Sequence, residues 1–355
     1  MSKMRSLFGF GAAFCAVLIV LEFFCRFTGT SQPAQMTPDE SLGLVWKPDT
    51  DMICIKEGFC MNRINEYGYP GAAYPPEKPE GVIRIALVGD SFVLGRYLFD
   101  DLHFRSVLED GLNETSERTV QAINLGFTAA NFERMYLYYE LFGKKFSPDY
   151  VLFFFSTNNL NRGEMAVGPR VEVKGDSLEV DYGFRSGEEY LGMKKLSFLR
   201  DFAIYSLLRQ CELRVKRGDH SRILFGKLEG KYNKLFRPHA FGPAGESEAR
   251  VEDPERKALN RAILRRLAEE NREGAPEIII VRRDHLPEDF VRSVVESGIT
   301  FFDPSPRLEE LSESGVDPHF WKGSQTVGHW NHHAHAVVGE FLAEKMRPII
   351  EKRRP

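Results

Sequence analysis

The sequence predicts an α/β protein, a three-layer α/β/α domain built on a mostly parallel sheet. Strand-like and helix-like segments alternate from residue 83 onward, the rhythm of βαβ units. The run Tyr150-Val151-Leu152-Phe153-Phe154-Phe155 is apolar throughout, as in a strand covered on both faces. Ser, Gly, Asn and His recur where these strands end, and in open parallel sheets sites form beyond the carboxyl ends of the strands.

The elements follow in order. Ile83 to Val88 reads as the first strand, and Gly89-Asp90-Ser91 as the turn after it. A helix is expected over 102–112, a second strand from Thr119 to Asn124, and a helix rich in Tyr and Leu from Phe132 to Phe142. The run 150–155 is the third strand. Residues 163–250 break the rhythm with charged and Gly-rich stretches and one helix over 196–216; they read as an insertion or lid. A charged helix over 254–273 leads to a fourth strand, Ile278 to Val281. A helix over 287–297 leads to a fifth, Ile299 to Phe302. The last helix begins near His332 and runs to about Lys352.

Ahead of this domain, taken as 80–355, lie two other segments. Residues 1–28 carry Lys3 and Arg5 and then an apolar run from Leu7 to Cys25, long enough to cross a bilayer as one helix. Glu22 interrupts the run near its far end and Arg26 closes it. Positive charge ahead of the run predicts a cytoplasmic amino end, a single-pass membrane anchor and an extracytoplasmic (periplasmic or lumenal) domain. A cleaved signal segment and a buried core helix are the alternatives; no A-x-A cleavage site follows the run. Residues 29–79 are rich in Pro and Gly and read as a stalk and irregular cap.

Composition narrows the function. Of 355 residues, 43% are apolar and 28% charged, with 28 Phe and 12 Tyr, enough to bury a core without disulfide or metal staples. A net charge of −4 argues against a general nucleic-acid binder. Cys15 and Cys25 lie in the apolar run and read as inert hydrophobes. Cys54 and Cys60 bracket Ile55-Lys56-Glu57-Gly58-Phe59 and read as a disulfide in an oxidising compartment or as two thiols. Cys211 reads as packing.

Four segments bring chemistry to one edge: Gly89-Asp90-Ser91-Phe92, Asn124-Leu125-Gly126, Ser156-Thr157-Asn158-Asn159 and Gly328-His329-Trp330-Asn331. A serine nucleophile needs a base within hydrogen-bond reach and donors aimed at the developing oxyanion. Ser91 is the candidate nucleophile and His329 the candidate base. The N–H groups of Ser91 and Gly126 and the Asn158 side-chain amide are the candidate oxyanion donors. Plainer readings stand beside these. Asp90 can make an Asx-type turn bond. Asn124 can cap a strand end, Asn159 can be structural, Asp303 can make a turn, and Trp330 can pack.

Here the sequence resembles a known family. Val88-Gly89-Asp90-Ser91-Phe92-Val93-Leu94-Gly95 resembles the first block of the SGNH/GDSL hydrolase superfamily, Asn124-Leu125-Gly126 its second, and Asn158-Asn159 its third, with Asn in the usual Asp position. His329-Trp330-Asn331-His332-His333-Ala334-His335 resembles the last block, with Ala334 in place of Gly. Asn65-Glu66-Tyr67-Gly68-Tyr69 resembles a segment of membrane-anchored bacterial members. The resemblance covers about 80–160 and 255–350 and implies a flavodoxin-like sheet in order 2-1-3-4-5. It also implies ester hydrolysis or acyl transfer without a cofactor, Ser91 as nucleophile, Gly126 and Asn158 as oxyanion donors, and His329 as base. Likeness to the anchored members implies an acylated carbohydrate as substrate, an O-acetyl group on an envelope glycan. A lipid esterase and a non-catalytic scaffold in polysaccharide assembly are the other readings.

One departure matters. The family places an Asp two or three residues before the catalytic His, where this chain has Val327 and Thr326, and no carboxylate lies between Asp317 and His329. The imidazole would then be oriented by a backbone carbonyl, by Gln325 or Thr326, or by Asp317 folding back; otherwise the site is inactive. Four His fall between 329 and 335, with no Cys or carboxylate close by in sequence, so no metal site is expected.

Overall fold

A computed structural model describes residues 2–28, 31–54, 56–163, 167–175, 177–216, 253–273 and 276–352. Residues 164–166, 176 and 217–250 of the expected insertion lie outside the described residues. The chain divides into two units, residues 39–185 with 241–355, and residues 1–38 with 186–240.

The larger unit is built on β5 (Ile83–Gly89), β6 (Val120–Gly126), β7 (Tyr150–Phe155), β10 (Glu277–Arg282) and β11 (Thr300–Phe302). All four pairings are parallel and the sheet runs β11-β10-β7-β5-β6, the doubly wound order 2-1-3-4-5 that the family resemblance implies. Every residue of β5 and β7 is buried, which is why β7 reads as an unbroken apolar run. Arg84 stands within β5. It is tolerated because its guanidinium bonds the carbonyls of Pro76 and Phe146 and the Gln121 side chain at 2.8–2.9 Å.

The two faces of the sheet take different helices. Ile83, Ile85, Leu87, Leu152, Phe154 and Val281 face α3 (Phe104–Asn113) and α11 (His332–Lys352) in one core. On the other face Phe153 meets Tyr139 and Phe155 meets Phe132, both rings of α4 (Phe132–Leu141). Phe155 also meets Phe290 of α9 (Glu288–Glu296). Three connections are short or charged: α5 (Thr157–Asn161) after β7, α8 (Pro254–Glu273) before β10, and α10 (Ser305–Glu313) after β11. The Asp303 carboxylate accepts the Ser305 N–H at 3.0 Å, which makes it the turn residue it was read as.

Of the segment read as a stalk and irregular cap, residues 39–79 belong to the larger unit. Leu42, Trp46, Met52, Ile64 and Tyr69 are buried, and the Trp46 indole N–H donates to the Gly126 carbonyl at 3.1 Å. After the short strands β1 (Met36–Asp39) and β2 (Gly43–Trp46), this segment forms an antiparallel hairpin of β3 (Asp51–Cys54) and β4 (Cys60–Arg63), with Cys54 opposite Cys60. Part of the expected insertion is a second hairpin, β8 (Arg170–Lys174) with β9 (Ser177–Asp181).

The smaller unit holds α1 (Ser2–Thr28), α6 (Glu188–Lys195) and α7 (Ala203–Lys216). Phe8–Thr28 has a mean hydropathy of 2.3 and is 6% buried, so α1 is long and apolar enough to cross a membrane. The Glu22 carboxylate accepts the N–H groups of Ala203 and Ile204, each at 3.0 Å, and so caps α7. In the helix expected over 196–216, Leu196 and Phe202 are exposed, while Ala203 is buried.

Candidate active site

Ser91 is the first residue of α2 (Ser91–Leu94), a one-turn helix at the carboxyl end of β5. Asp90 caps that turn, its Oδ1 accepting the Phe92 N–H at 3.0 Å. Gly95 ends it at φ +60, with no room for a side chain, since a Cβ there would stand 2.0 Å from the His103 ring. The turn places Ser91 beyond the carboxyl end of β5.

Ser91 Oγ lies 2.7 Å from His329 Nε2. The residues around His329 hold it there. Asn331 caps α11 through the N–H groups of His333 and Ala334, and its amide donates to the carbonyls of Asp317 and Phe320. Trp330 is buried and packs edge-on to Phe92, so it is the packed Trp expected. Phe92 and Tyr97 flank the imidazole at 4.6 and 4.9 Å.

The far side of the imidazole meets a residue that sequence reasoning missed. Glu57, between β3 and β4, accepts from His329 Nδ1 at 2.9 Å (Oε2) and 3.1 Å (Oε1), and from the His329 backbone N–H at 2.7 Å. A carboxylate acceptor fixes the ring: Nδ1 carries the proton, and Nε2 is left to accept from the Ser91 hydroxyl. Burial alone would raise the Glu57 carboxyl, but the two hydrogen bonds from His329 and its charge outweigh this and hold it below the ordinary value. The carboxylate has little room to move. A Cβ at Gly328 would stand 2.3 Å from Glu57 Oε2, and one at Gly58 would stand 2.1 Å from the Tyr97 carbonyl.

Neither expected orienter serves. Asp317 Oδ1 accepts the His319 N–H at 2.8 Å, and Thr326 Oγ1 pairs with Ser324 Oγ at 2.6 Å. The Nδ1 position is already filled by Glu57, which reaches it from 272 positions away in the chain. No sequence spacing reports that contact. The only hint was negative, a last block without its acid.

The expected oxyanion donors differ. Gly126 sits at the end of β6 against the α2 backbone, where a Cβ would come within 2.2 Å of Leu94 N. Its N–H donates to Asn124 Oδ1 at 2.9 Å, so the amide expected as a donor is already committed, and Asn124 is the strand-end cap. Among the described residues no hydrogen bond takes the Ser91 N–H. Asn158 is exposed in the first turn of α5, at the carboxyl end of β7.

A buried polar network underlies the elbow. Asn159 Nδ2 donates to Asp90 Oδ2 and to the Ala130 carbonyl, both at 2.9 Å, while its Oδ1 accepts from the N–H and hydroxyl of Ser156, both at 2.8 Å. Asn159 is structural, as read. Arg283 was not foreseen. Its guanidinium reaches Asp90 Oδ2 at 3.3 Å and the Ser156 hydroxyl, and lies 4.1 Å above the Phe92 ring. Of the two readings of Cys54 and Cys60, the structure holds the pair as two thiols: the Cys60 thiol donates to the Arg96 carbonyl at 2.8 Å, and Arg96 Nε donates to Cys54 Sγ at 3.1 Å.

No family model matches the sequence, and no curated protein matches it. Solved structures do resemble the chain distantly. One is described as a lipolytic protein of the G-D-S-L family, from Desulfitobacterium hafniense DCB-2: 9% identity, TM-score 0.37, covering 74% of this chain and 98% of that one. Another is the lipase/acylhydrolase from Enterococcus faecalis: 11% identity, TM-score 0.37, 75% and 96%. A third is a catalytic mutant of an acetylxylan esterase from Geobacillus stearothermophilus: 12% identity, TM-score 0.37, 74% and 94%. Likenesses this distant say nothing about what this chain acts on.

Proposed function

We propose that the chain is a serine ester hydrolase of SGNH type, with Ser91 as nucleophile, His329 as general base and Glu57 as the acid that orients His329. The observation that carries this is the continuous chain Ser91 Oγ, His329 Nε2, His329 Nδ1 and Glu57, with contacts of 2.7 and 2.9 Å. His329 takes the Ser91 proton as Oγ attacks the ester carbonyl. The charge left on the carbonyl oxygen is met by the Ser91 N–H and the Asn158 amide. His329 then protonates the leaving alcohol, and water, activated the same way, releases the acid from Ser91.

The non-catalytic reading was motivated by the missing acid, and Glu57 supplies an acid, so that motive lapses. The finer reading is a membrane-anchored, extracytoplasmic enzyme that removes an O-acetyl group from an envelope glycan, or passes an acyl group to a hydroxyl acceptor in place of water. It is supported by the apolar helix α1 and by the motif likeness to anchored bacterial proteins. A preference for long acyl chains over acetyl would favour a lipid esterase instead.

The test uses the full chain in detergent. An aryl acetate should be hydrolysed and a fluorophosphonate should label Ser91. Ser91→Ala and His329→Ala should each abolish turnover. Activity retained in both variants, or a folded protein that takes no label, overturns the assignment.

A further inference from the structure

The loop that carries Glu57 is closed at its base by two cysteines. Cys54 ends β3 and Cys60 begins β4, and they are direct cross-strand partners. Both are buried, yet the loop between them is at the surface, with Lys56 and Phe59 exposed. Both sulfurs also hold the same residue of another segment: Cys60 donates to the Arg96 carbonyl and Cys54 accepts from Arg96 Nε. The next residue, Tyr97, packs on the His329 ring, and its carbonyl is the atom that Gly58 approaches. The thiol pair, the Glu57 loop and the base of the site are thus one packed assembly. Its hold on residue 96 depends on a thiol proton and on a sulfur facing a cation.

From this arrangement we infer that Cys54 and Cys60 are a redox-active dithiol whose oxidation to a disulfide displaces the Glu57 loop and lowers the activity of the Ser91 site. The second half of this inference rests on the hydrolase reading; the first does not. The chemistry needs an oxidant small enough to reach buried sulfur, and a hydroperoxide is of that class. The neighbouring Cys60 thiol and the Arg96 charge hold the Cys54 thiol below its usual range against the effect of burial, and Arg96 Nε faces the Cys54 sulfur, so Cys54 is the attacking thiolate. Its sulfur breaks the peroxide O–O bond, becomes a sulfenic acid and releases hydroxide or alkoxide. The Cys60 sulfur then displaces the hydroxyl from Cys54 as the S–S bond forms, and the Cys60 proton leaves with that hydroxyl as water. Two electrons have passed to the peroxide, and a thiol reductant returns them. The disulfide has no S–H to give the Arg96 carbonyl and no thiolate for its guanidinium, so both ties of the hairpin to residue 96 are lost.

The experiment treats the full chain in detergent with hydrogen peroxide and then with dithiothreitol. Mass spectrometry of alkylated digests should find a linked Cys54–Cys60 peptide that the reductant reverses. Turnover of an aryl acetate should fall about tenfold on oxidation, within the usual span of coupling between sites, and return on reduction. The Cys54→Ser/Cys60→Ser variant should not respond. Because oxidation would draw Glu57 away from His329, removing that charged contact in Glu57→Gln should shift the reduction midpoint of the pair, a reading that needs no catalysis. Two thiols that stay alkylatable in peroxide overturn the proposal. So does a bridge that forms with an unchanged midpoint in Glu57→Gln and unchanged turnover. If the reduced protein hydrolyses nothing and takes no fluorophosphonate, the hydrolase reading fails by itself, and the linked peptide and the midpoint still decide the dithiol.

Discussion

Glu57 grips His329 at two points, the ring nitrogen Nδ1 at 2.9 Å and the backbone N–H at 2.7 Å. One carboxylate therefore fixes both the tautomer of the imidazole and the path of the chain that carries it. Glu57→Gln should lower kcat on an aryl acetate by about 10²–10⁴, because the amide no longer selects the Nδ1–H tautomer or stabilises the imidazolium. Asp317→Asn and Thr326→Val should stay within about twofold, since their side chains pair with the His319 N–H and the Ser324 hydroxyl and not with His329. Steady-state kinetics on the three variants checks this; a large loss in Asp317→Asn with none in Glu57→Gln would return the orienting role to Asp317.

Gly328 tests the same contact from the other side. A Cβ there meets Glu57 Oε2 at 2.3 Å, and the backbone at this position imposes no positive φ. Gly328→Ala should therefore push the carboxylate off the ring, lowering kcat tenfold or more, on the order of the loss from a misplaced catalytic group. Gly126→Ala is its contrast. It drives a Cβ into the α2 backbone and should cost about 1–3 kcal/mol of stability. Thermal unfolding and kinetics on both variants separate the two effects.

The fold and half of the site were legible in the sequence for a local reason. A strand buried on both faces has no polar residue to break its run, so 150–155 reads directly as the centre of a sheet, and all six residues are buried. Ser91 and His329 lie in contiguous blocks whose neighbours do a visible job: Asp90 caps α2 and Asn331 caps α11. Glu57 lies in a Pro- and Gly-rich segment with no period, and its role depends on a contact 272 positions away. Arg283 was hidden in the same way. It follows an apolar strand as an ordinary charged end would, and only packing brings it beneath Asp90. Gly126 was legible as part of a motif, read as an oxyanion donor, but the motif could not show that Asn124 already takes its N–H.

Two histidines in the core set an acid limit on stability. The His103 and His335 rings lie 4.7 Å apart and tilted between α3 and α11, and each accepts a backbone N–H through Nδ1, from Arg105 and Phe104. Burial, and then the Arg105 charge, push His103 down to about 3; burial also holds His335 well below its ordinary value. Between the unfolded value of about 6.5 and the folded value, the unfolded chain binds protons that the folded chain refuses, so stability falls as pH falls through that window. His103→Asn keeps a side-chain acceptor for the Arg105 N–H and removes one of the two titrations. The drop in Tm between about pH 7 and pH 5 should be smaller in His103→Asn than in the parent, whatever the Tm at neutral pH. An equal drop in both proteins removes His103 as a source of the acid limit.

Arg283 is the test of the network beneath Ser91. Its side chain is 4% exposed, and its guanidinium meets the Asp90 carboxylate, the Ser156 hydroxyl and the face of Phe92. Arg283→Met keeps much of the volume and removes the charge, leaving Asp90 with Asn159 and the Phe92 N–H as its remaining donors. Breaking a buried pair by deleting one partner leaves the other charge uncompensated and costs about 3–5 kcal/mol. Urea unfolding should show a loss of that order. In Arg283→Lys the loss should be smaller, because the charge stays, but the planar contact with Phe92 and the second hydrogen bond are weakened. Phe92 lies 4.6 Å from the His329 ring, so both variants should also lose turnover, Met more than Lys. If Arg283→Met unfolds at the urea concentration of the parent, Asp90 does not depend on the guanidinium, and the elbow is held by its cap and by Asn159 alone.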